Sequence, residues 1–200
     1  MKLYFAPGAC SLSPHIVMRE VGAKYDLEQV NNQEKKTKSG VDYWTINAKG
    51  QVPVLEFDNG ERLTEGPVIV QWIADQNPSA GLIPPAGKPE RYRVQEWLNF
   101  ITSELHKSFG PIFRPTTPDA YKTISKENLG KRFDWLDKQL AGKQYLMGNA
   151  FTVADAYLFT VLSWGSYLKF DIGAQLQRYV ENIGKRPHVV EALKAEGLIK

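Results

Sequence analysis

The chain has 200 residues, 42% of them hydrophobic and 12% aromatic, which is enough for a packed core in one large domain or two small ones. Twenty-five basic and 22 acidic residues give a net charge of +3, and the only basic run is the short KKTK of residues 35–38, so we expect no nucleic-acid partner. One cysteine cannot form an internal disulfide, and neither a membrane span nor a signal peptide is evident, so we expect a cytoplasmic protein that does not bind membranes.

The first 80 residues predict a small mixed sheet with helices packed against it. The four predicted strands are KLYF (2–5), YDLEQV (25–30), VPVLEF (52–57) and ERL (61–63). A helical pattern over 11–22 separates the first two strands, and a DNG turn at 58–60 joins the last two as a hairpin. A second helix is predicted over 65–77, with proline in its first turn. The order is therefore β-α-β followed by β-β-α.

A proline-rich connector, NPSAGLIPPAGKP (77–89), marks the predicted domain boundary. We assign 1–81 to the first domain, 82–86 to a linker and 87–200 to a second domain that contains no convincing strand. Its predicted helices cover 89–109, 119–141, 152–167, 173–184 and 187–196. The predicted fold class is thus α/β plus all-α.

Three polar residues in helical patterns favour structural interpretations. Asp155 stands three residues after Thr152, the spacing of a capping box at the start of the predicted helix 152–167. His15 follows a proline in the first helix, and His188 lies near the C-terminus, so neither receives a functional assignment.

The single cysteine, Cys10, lies in PGACSLSPH (7–15), immediately before the first predicted helix. A thiolate rather than a thiol is the nucleophile, and the unpaired N–H groups and dipole at a helix N-terminus favour an anionic sulfur. That sulfur is either the cysteine's own or that of a ligand. CSLS has no second cysteine, which removes the resolving thiol of a two-cysteine redox enzyme. The alternative is that Cys10 is a small buried apolar side chain.

Two further segments suggest peptide recognition. Pro53 opens a strand in GQVPVLE, and a cis peptide there would turn the backbone of Val52 outward to pair with an extended peptide; the alternative is an ordinary strand start. In LTEGP, Gly66 and Pro67 begin a helix whose N–H groups can bind a carboxylate. Glu65 beside them either binds an ammonium group or only complements the helix dipole.

The predicted helix 89–109 has two distinct faces at about 100° per residue. The apolar arc contains Val94, Trp97, Leu98, Ile101 and Leu105. Asn99, Ser103 and His106 lie on nearly the opposite side. A solvated face usually carries lysine and glutamate, whereas these three side chains are amide, hydroxyl and imidazole, so we interpret them as functional.

Five ordered segments together resemble the bacterial beta-class glutathione transferases over nearly the whole chain. They are PGACS near residue 10, NxKGQVPVLE (47–56), LTEGPVIVQWIAD (63–75), EWLNFITSELHKSF (96–109) and FTVADAYLF (151–159). The resemblance implies a thioredoxin-like N-terminal domain that binds glutathione, an all-helical C-terminal domain with the pocket for the second substrate, and a homodimer.

The resemblance also assigns roles in the N-terminal domain. Cys10 would lie beside the glutathione sulfur and could form a mixed disulfide with it. The main chain of Val52 would pair with the cysteinyl unit, and Pro53 would be the cis-proline that follows. Glu65 and Gly66 would hold the γ-glutamyl end.

Further implied contacts extend into the second domain. Lys35 would reach the glycyl carboxylate. The implied glutathione contacts on the first helix of the second domain are Asn99, Ser103, Glu104, Leu105 and His106. Asn99 would reach the ligand of the neighbouring subunit, and we expect less of Glu104 and Leu105. Other classes of the family hold the thiolate with a tyrosine or serine hydroxyl, so Tyr4 and Ser11 are alternatives to Cys10; we interpret Tyr4 as a strand residue.

The sequence therefore predicts a detoxifying glutathione transferase that conjugates the thiol of reduced glutathione to hydrophobic electrophiles, with Cys10 and His106 as catalytic residues. Its electrophile pocket would be apolar, formed around Phe109 to Phe113 and Trp164. Glutathione would be a co-substrate, and no metal or other cofactor is implied. The alternatives are a glutathione-dependent thiol-disulfide transferase or peroxidase that uses Cys10, and a non-catalytic member of the fold that binds ligands or partner proteins.

Overall fold

The computed structural model describes residues 1–200 and divides into two compact units. Unit 1 comprises Met1–Ile83 together with Lys185–Lys200, and unit 2 comprises Pro84–Gly184. The prediction that 87–200 forms one helical domain is therefore wrong for its last 16 residues. None of the helices is both long and apolar enough to cross a membrane.

Unit 1 contains a five-stranded sheet in the order β3-β2-β1-β4-β5. The strands are β1 Lys2–Phe5, β2 Asp26–Asn31, β3 Lys36–Thr37, β4 Val54–Glu56 and β5 Arg62–Thr64. β1 and β2 are parallel, and the other neighbouring pairs are antiparallel. A parallel pair needs a crossover connection, which α1 (Leu12–Glu20) supplies, and α2 (Gly66–Gln76) follows the β4–β5 hairpin. The predicted β-α-β and β-β-α order is confirmed, whereas the two-residue β3 was not predicted.

The last residues of the chain belong to unit 1 because α8 (Pro187–Ala195) packs against α1. The fully buried His15 of α1 makes a 2.8 Å hydrogen bond through Nδ1 to Oε1 of Glu196. The other carboxylate oxygen of Glu196 accepts the Gly8 N–H at 2.9 Å. Arg186 binds both oxygens of Glu20 at 2.9 Å. These contacts give His15 a structural role and connect the C-terminus to the loop that carries Cys10.

Unit 2 is helical, as predicted. Its α-helices are α3 Pro89–Phe100, α4 Lys107–Phe113, α5 Asp119–Gln139, α6 Val153–Tyr167 and α7 Ala174–Gly184. A π-helical segment, Ile101–His106, joins α3 to α4, so the predicted helix 89–109 continues to Phe113. The wider turn of a π-helix invalidates a wheel drawn at 100° across this segment. Trp97, which that wheel placed with the core, is only half-buried and packs beside Trp135.

The start of α6 is fixed by the predicted capping box. The carboxylate of Asp155 accepts hydrogen bonds from both the backbone N–H and the hydroxyl of Thr152, each at 2.8 Å. Its other oxygen accepts the Leu146 N–H and the Tyr179 hydroxyl, also at 2.8 Å. Asp155 is fully buried, and these four bonds satisfy its charge. Its structural interpretation is confirmed.

Candidate active site

Cys10 lies in unit 1 immediately before α1, as the sequence predicted. Its partly exposed Sγ donates a 3.2 Å hydrogen bond to the carbonyl oxygen of Val52. Loss of solvent around the sulfur raises the pKa of Cys10 to about 12, although the backbone N–H groups of Cys10 and Ser11 act in the opposite direction. The helix end therefore does not ionise the cysteine's own thiol, and Cys10 is a neutral hydrogen-bond donor at physiological pH.

The two hydroxyl alternatives to Cys10 both have structural partners. Ser11 is fully buried, and its Oγ donates to the Ala6 carbonyl at 3.2 Å and accepts the Ala6 N–H at 3.1 Å. The Tyr4 hydroxyl donates to Oε2 of Glu56 at 3.2 Å. Burial, and then the Glu56 charge, raise the pKa of Tyr4. Neither hydroxyl is suited to hold a thiolate, which supports the interpretation of Tyr4 as a strand residue.

Four of the predicted residues come together beside Cys10. The Val52–Pro53 peptide is cis, as the resemblance implies, and Val52 presents its carbonyl to the Cys10 thiol. Gly66, at the start of α2, packs on Pro53, since a Cβ at Gly66 would lie 3.7 Å from the proline Cγ. Glu65 precedes it with φ of +71°, a strained conformation for a residue other than glycine. Such strain concentrates at ligand-binding sites.

Two lysines lie near this cluster, and the sequence analysis identified one of them. Lys35 donates from Nζ to the carbonyl oxygen of Gly50 at 2.7 Å, with Nζ 5.9 Å from the ring centre of Trp44. Lys49, which the sequence analysis missed, pairs with the Glu65 carboxylate. Both members of that pair are about half exposed, so the pair adds little stability and leaves Glu65 accessible to another cation.

In unit 2, His106 ends the π-helical segment. The half-buried ring makes a 2.6 Å hydrogen bond through Nδ1 to the hydroxyl of Tyr157, a buried residue of α6. Its edge also meets Trp164, with ring centres 4.9 Å apart. Trp164 in turn packs at 5.5 Å on Phe109 and at 6.0 Å on Phe113. Aromatic rings therefore surround His106 on one side, formed by the residues predicted for the apolar pocket.

The remaining predicted residues of unit 2 have different surroundings. Asn99 and Ser103 are exposed, and the Ser103 hydroxyl donates to the Asn99 backbone carbonyl at 3.1 Å. Glu104 is half-exposed and forms an ion pair with Arg132, with Arg132 Nε 2.8 Å from the carboxylate. Leu105 is fully buried. The side chains of Glu104 and Leu105 thus already have structural partners.

Comparison with known proteins identifies the family. The N-terminal glutathione S-transferase domain model matches residues 1–75, and the C-terminal domain model matches residues 100–187. The chain is 43% identical to the Escherichia coli glutathione S-transferase GstA, over 99% of this chain and all of that protein. It also superposes on the beta-class enzyme of Sphingomonas chungbukensis with a TM-score of 0.96 at 45% identity, both chains fully covered. This chain is a bacterial beta-class glutathione transferase.

A sphingomonad glutathione transferase solved in complex with glutathione is similar over its full length, with a TM-score of 0.95 and 47% identity. The predicted glutathione transferase fold, with its thioredoxin-like N-terminal domain and helical C-terminal domain, is confirmed. The family assignment also confirms the predicted activity class. Tyr157 is the residue of the transferase that sequence reasoning missed, because a tyrosine inside the apolar motif FTVADAYLF is typical of core packing.

Proposed function

We propose that this transferase binds glutathione through residues of both units and conjugates its thiol to hydrophobic electrophiles in the cytoplasm. The observation that carries the proposal is the cluster of Cys10, Val52, Pro53 and Gly66 beside the first residues of α1 and α2. The Val52 carbonyl next to a cis-proline suits strand-like pairing with the cysteinyl unit of the tripeptide. The sphingomonad relative solved with glutathione supports the same ligand.

The ends of the tripeptide find complementary charges in unit 1. Glu65, although paired with Lys49, is more than half exposed and can exchange that cation for the α-ammonium of the γ-glutamyl unit. The N-terminus of α2 at Gly66 suits the adjacent carboxylate. Lys35 suits the glycyl carboxylate. From unit 2 we propose Asn99, Ser103 and His106 as contacts, with Asn99 serving the neighbouring subunit of a homodimer; its exposure is consistent with that role.

The neutral state of Cys10 decides between the two enzymatic alternatives. In conjugation, the glutathione thiol loses its proton, the thiolate forms a C–S bond to the electrophile, and the leaving group departs with its electron pair. Cys10 as a neutral thiol can donate a hydrogen bond to that thiolate. Thiol-disulfide exchange instead requires Cys10 itself as the thiolate, and its raised pKa disfavours this at neutral pH. We therefore propose conjugation as the main reaction.

The electrophile site is proposed at the aromatic cluster of unit 2. Phe113 is 46% exposed, and the half-buried Trp164 packs against it, so both offer ring surface to a ligand. Phe109 is fully buried and supports them from beneath. Such a surface favours planar apolar electrophiles over charged ones.

The test combines retention on immobilised glutathione with the rate on chlorodinitrobenzene, a generic aromatic electrophile. We expect Cys10→Ala to lose all mixed-disulfide formation, measured as a glutathione mass adduct, and to keep a substantial part of the conjugation rate, because the end of α1 remains. Cys10→Ser is the matched control, since it keeps a hydrogen-bond donor and loses the thiol. Equal and complete loss of both activities in Cys10→Ala would contradict the proposal, and failure of the wild type to bind glutathione would favour a non-catalytic role.

A further inference from the structure

We propose that Tyr157 is a positioning residue that fixes His106 in the tautomer with its proton on Nε2. The inference rests on the proposed function, in which His106 acts on the glutathione thiol. Tyr157 itself is only 1% exposed. It therefore acts through the imidazole rather than on the substrate.

The length of the hydrogen bond indicates which group donates. The Tyr157 Oη and His106 Nδ1 atoms are 2.6 Å apart. N–H···O bonds centre near 2.9 to 3.0 Å, whereas O–H donors make shorter bonds, about 2.7 Å. A phenol is also far more acidic than the N–H of a neutral imidazole. We therefore assign the phenol as donor and Nδ1 as acceptor. A neutral imidazole carries one proton, so that proton is on Nε2.

Both partners are held in place by their surroundings. Tyr157 projects from α6, and the four hydrogen bonds of Asp155 fix the first turn of that helix. The rings of His106 and Tyr157 meet nearly perpendicularly, at 78°, and Trp164 contacts the same imidazole at 68°. Burial of Tyr157 keeps water from competing for its hydroxyl. The orientation and tautomer of His106 are thus set before any ligand binds.

The tautomer determines what His106 can do. An imidazole protonated at Nε2 donates from that atom and cannot accept a proton there. Tyr157 therefore makes His106 a hydrogen-bond donor to developing or established negative charge, such as the glutathione thiolate, rather than a base that removes the thiol proton. Such fixed donors act without reorganisation during the reaction.

The first test is nuclear magnetic resonance of the histidine ring nitrogens, which does not depend on activity. The chain has three histidines, and the His106 signals are identified by their loss in His106→Gln. We expect the wild type to show a protonated Nε2 and an unprotonated Nδ1 at neutral pH. Tyr157→Phe, which removes only the hydroxyl, should give a mixture of both tautomers. A wild-type spectrum with the proton on Nδ1 overturns the proposal even if the variant does not fold.

The matched control is Tyr179→Phe. Tyr179 is also a buried tyrosine of unit 2, and its hydroxyl bonds to Asp155 rather than to His106. We expect it to lower thermal stability and to leave the His106 spectrum and the kcat unchanged. If Tyr179→Phe alters the His106 tautomer as much as Tyr157→Phe does, loss of packing in unit 2 explains both results and the proposal fails.

Kinetics provide the second test. For Tyr157→Phe we expect kcat with chlorodinitrobenzene to fall on the order of tenfold, with the KM for glutathione changed less than about twofold. The double variant Tyr157→Phe/His106→Gln should be no slower than His106→Gln, because the hydroxyl acts only through the imidazole. An unchanged kcat in Tyr157→Phe, or additive losses, would overturn the proposal. Failure of the proposed function is distinguishable, because the wild type would then not be retained on immobilised glutathione.

Discussion

The ionisation state of Cys10 can be measured directly because the chain has no other cysteine. The perturbation is a change of pH in the presence of iodoacetamide, without glutathione. Burial raises the pKa of Cys10 to about 12, so the neutral thiol persists to higher pH than in a free cysteine. At pH 8 an unperturbed thiol is about one quarter thiolate, whereas a thiol with a pKa of about 12 is thiolate in about one molecule in 10,000. We expect folded protein to react on the order of a thousandfold more slowly than denatured protein.

The assay is the increase in intact mass with time at several pH values between 7 and 10. The rate for folded protein should rise about tenfold per pH unit without a plateau. Cys10→Ser should take up no label. Glu65→Gln should react slightly faster, because the Glu65 charge is a smaller contribution to the raised pKa. A plateau below pH 9, or a rate at pH 7 equal to that of denatured protein, would show that the end of α1 ionises Cys10 itself.

Three further predictions concern stability. Asp155→Ala leaves four buried donors without their acceptor and should lower the free energy of unfolding by about 4 kcal/mol in urea titrations; a loss below about 1 kcal/mol would contradict the capping role. Gly173→Ala combines a φ of +83° with a Cβ 2.7 Å from Asp137 Cγ and should cost about 3 kcal/mol, against about 1 kcal/mol for Gly142→Ala, which has a similar φ and open space; equal costs would refute the clash. Burial raises the pKa of Tyr25 to about 12, so the folded state keeps a proton that the unfolded chain loses, and stability should fall as pH rises from about 10 towards 12. Tyr25→Phe should flatten the dependence of Tm on pH, and an unchanged slope would exclude this group.

Local patterns made most of the fold predictable. Alternating apolar residues, Pro67 in the first turn of α2 and the DNG turn all act over a few residues, and the structure places these elements within about three residues of the predictions. Cys10 and Val52 are 42 residues apart, and their contact could be anticipated only because the whole set of motifs resembles a known family.

Contacts between distant segments account for what the sequence did not reveal. His15 and Glu196 are 181 positions apart, so nothing near His15 indicates a partner or the return of the last 16 residues to unit 1. The π-helical segment Ile101–His106 changes the number of residues per turn and has no signature in the apolar spacing. The hydrogen bond between His106 and Tyr157 joins separate helices through a side chain that sequence reasoning assigned to the core.

The neutral thiol of Cys10 also bears on how one site can hold two sulfurs. Two thiolates at the same helix end would repel each other, so ionisation of glutathione makes ionisation of Cys10 still less favourable. Conjugation needs only one thiolate and consumes no oxidant. A mixed disulfide between Cys10 and glutathione removes two electrons from the two thiols, or else needs glutathione disulfide, from which one glutathione thiolate leaves when Cys10 attacks. Under reducing conditions, therefore, the arrangement at Cys10 favours conjugation, and the mixed disulfide should accumulate only when an oxidised glutathione partner is supplied.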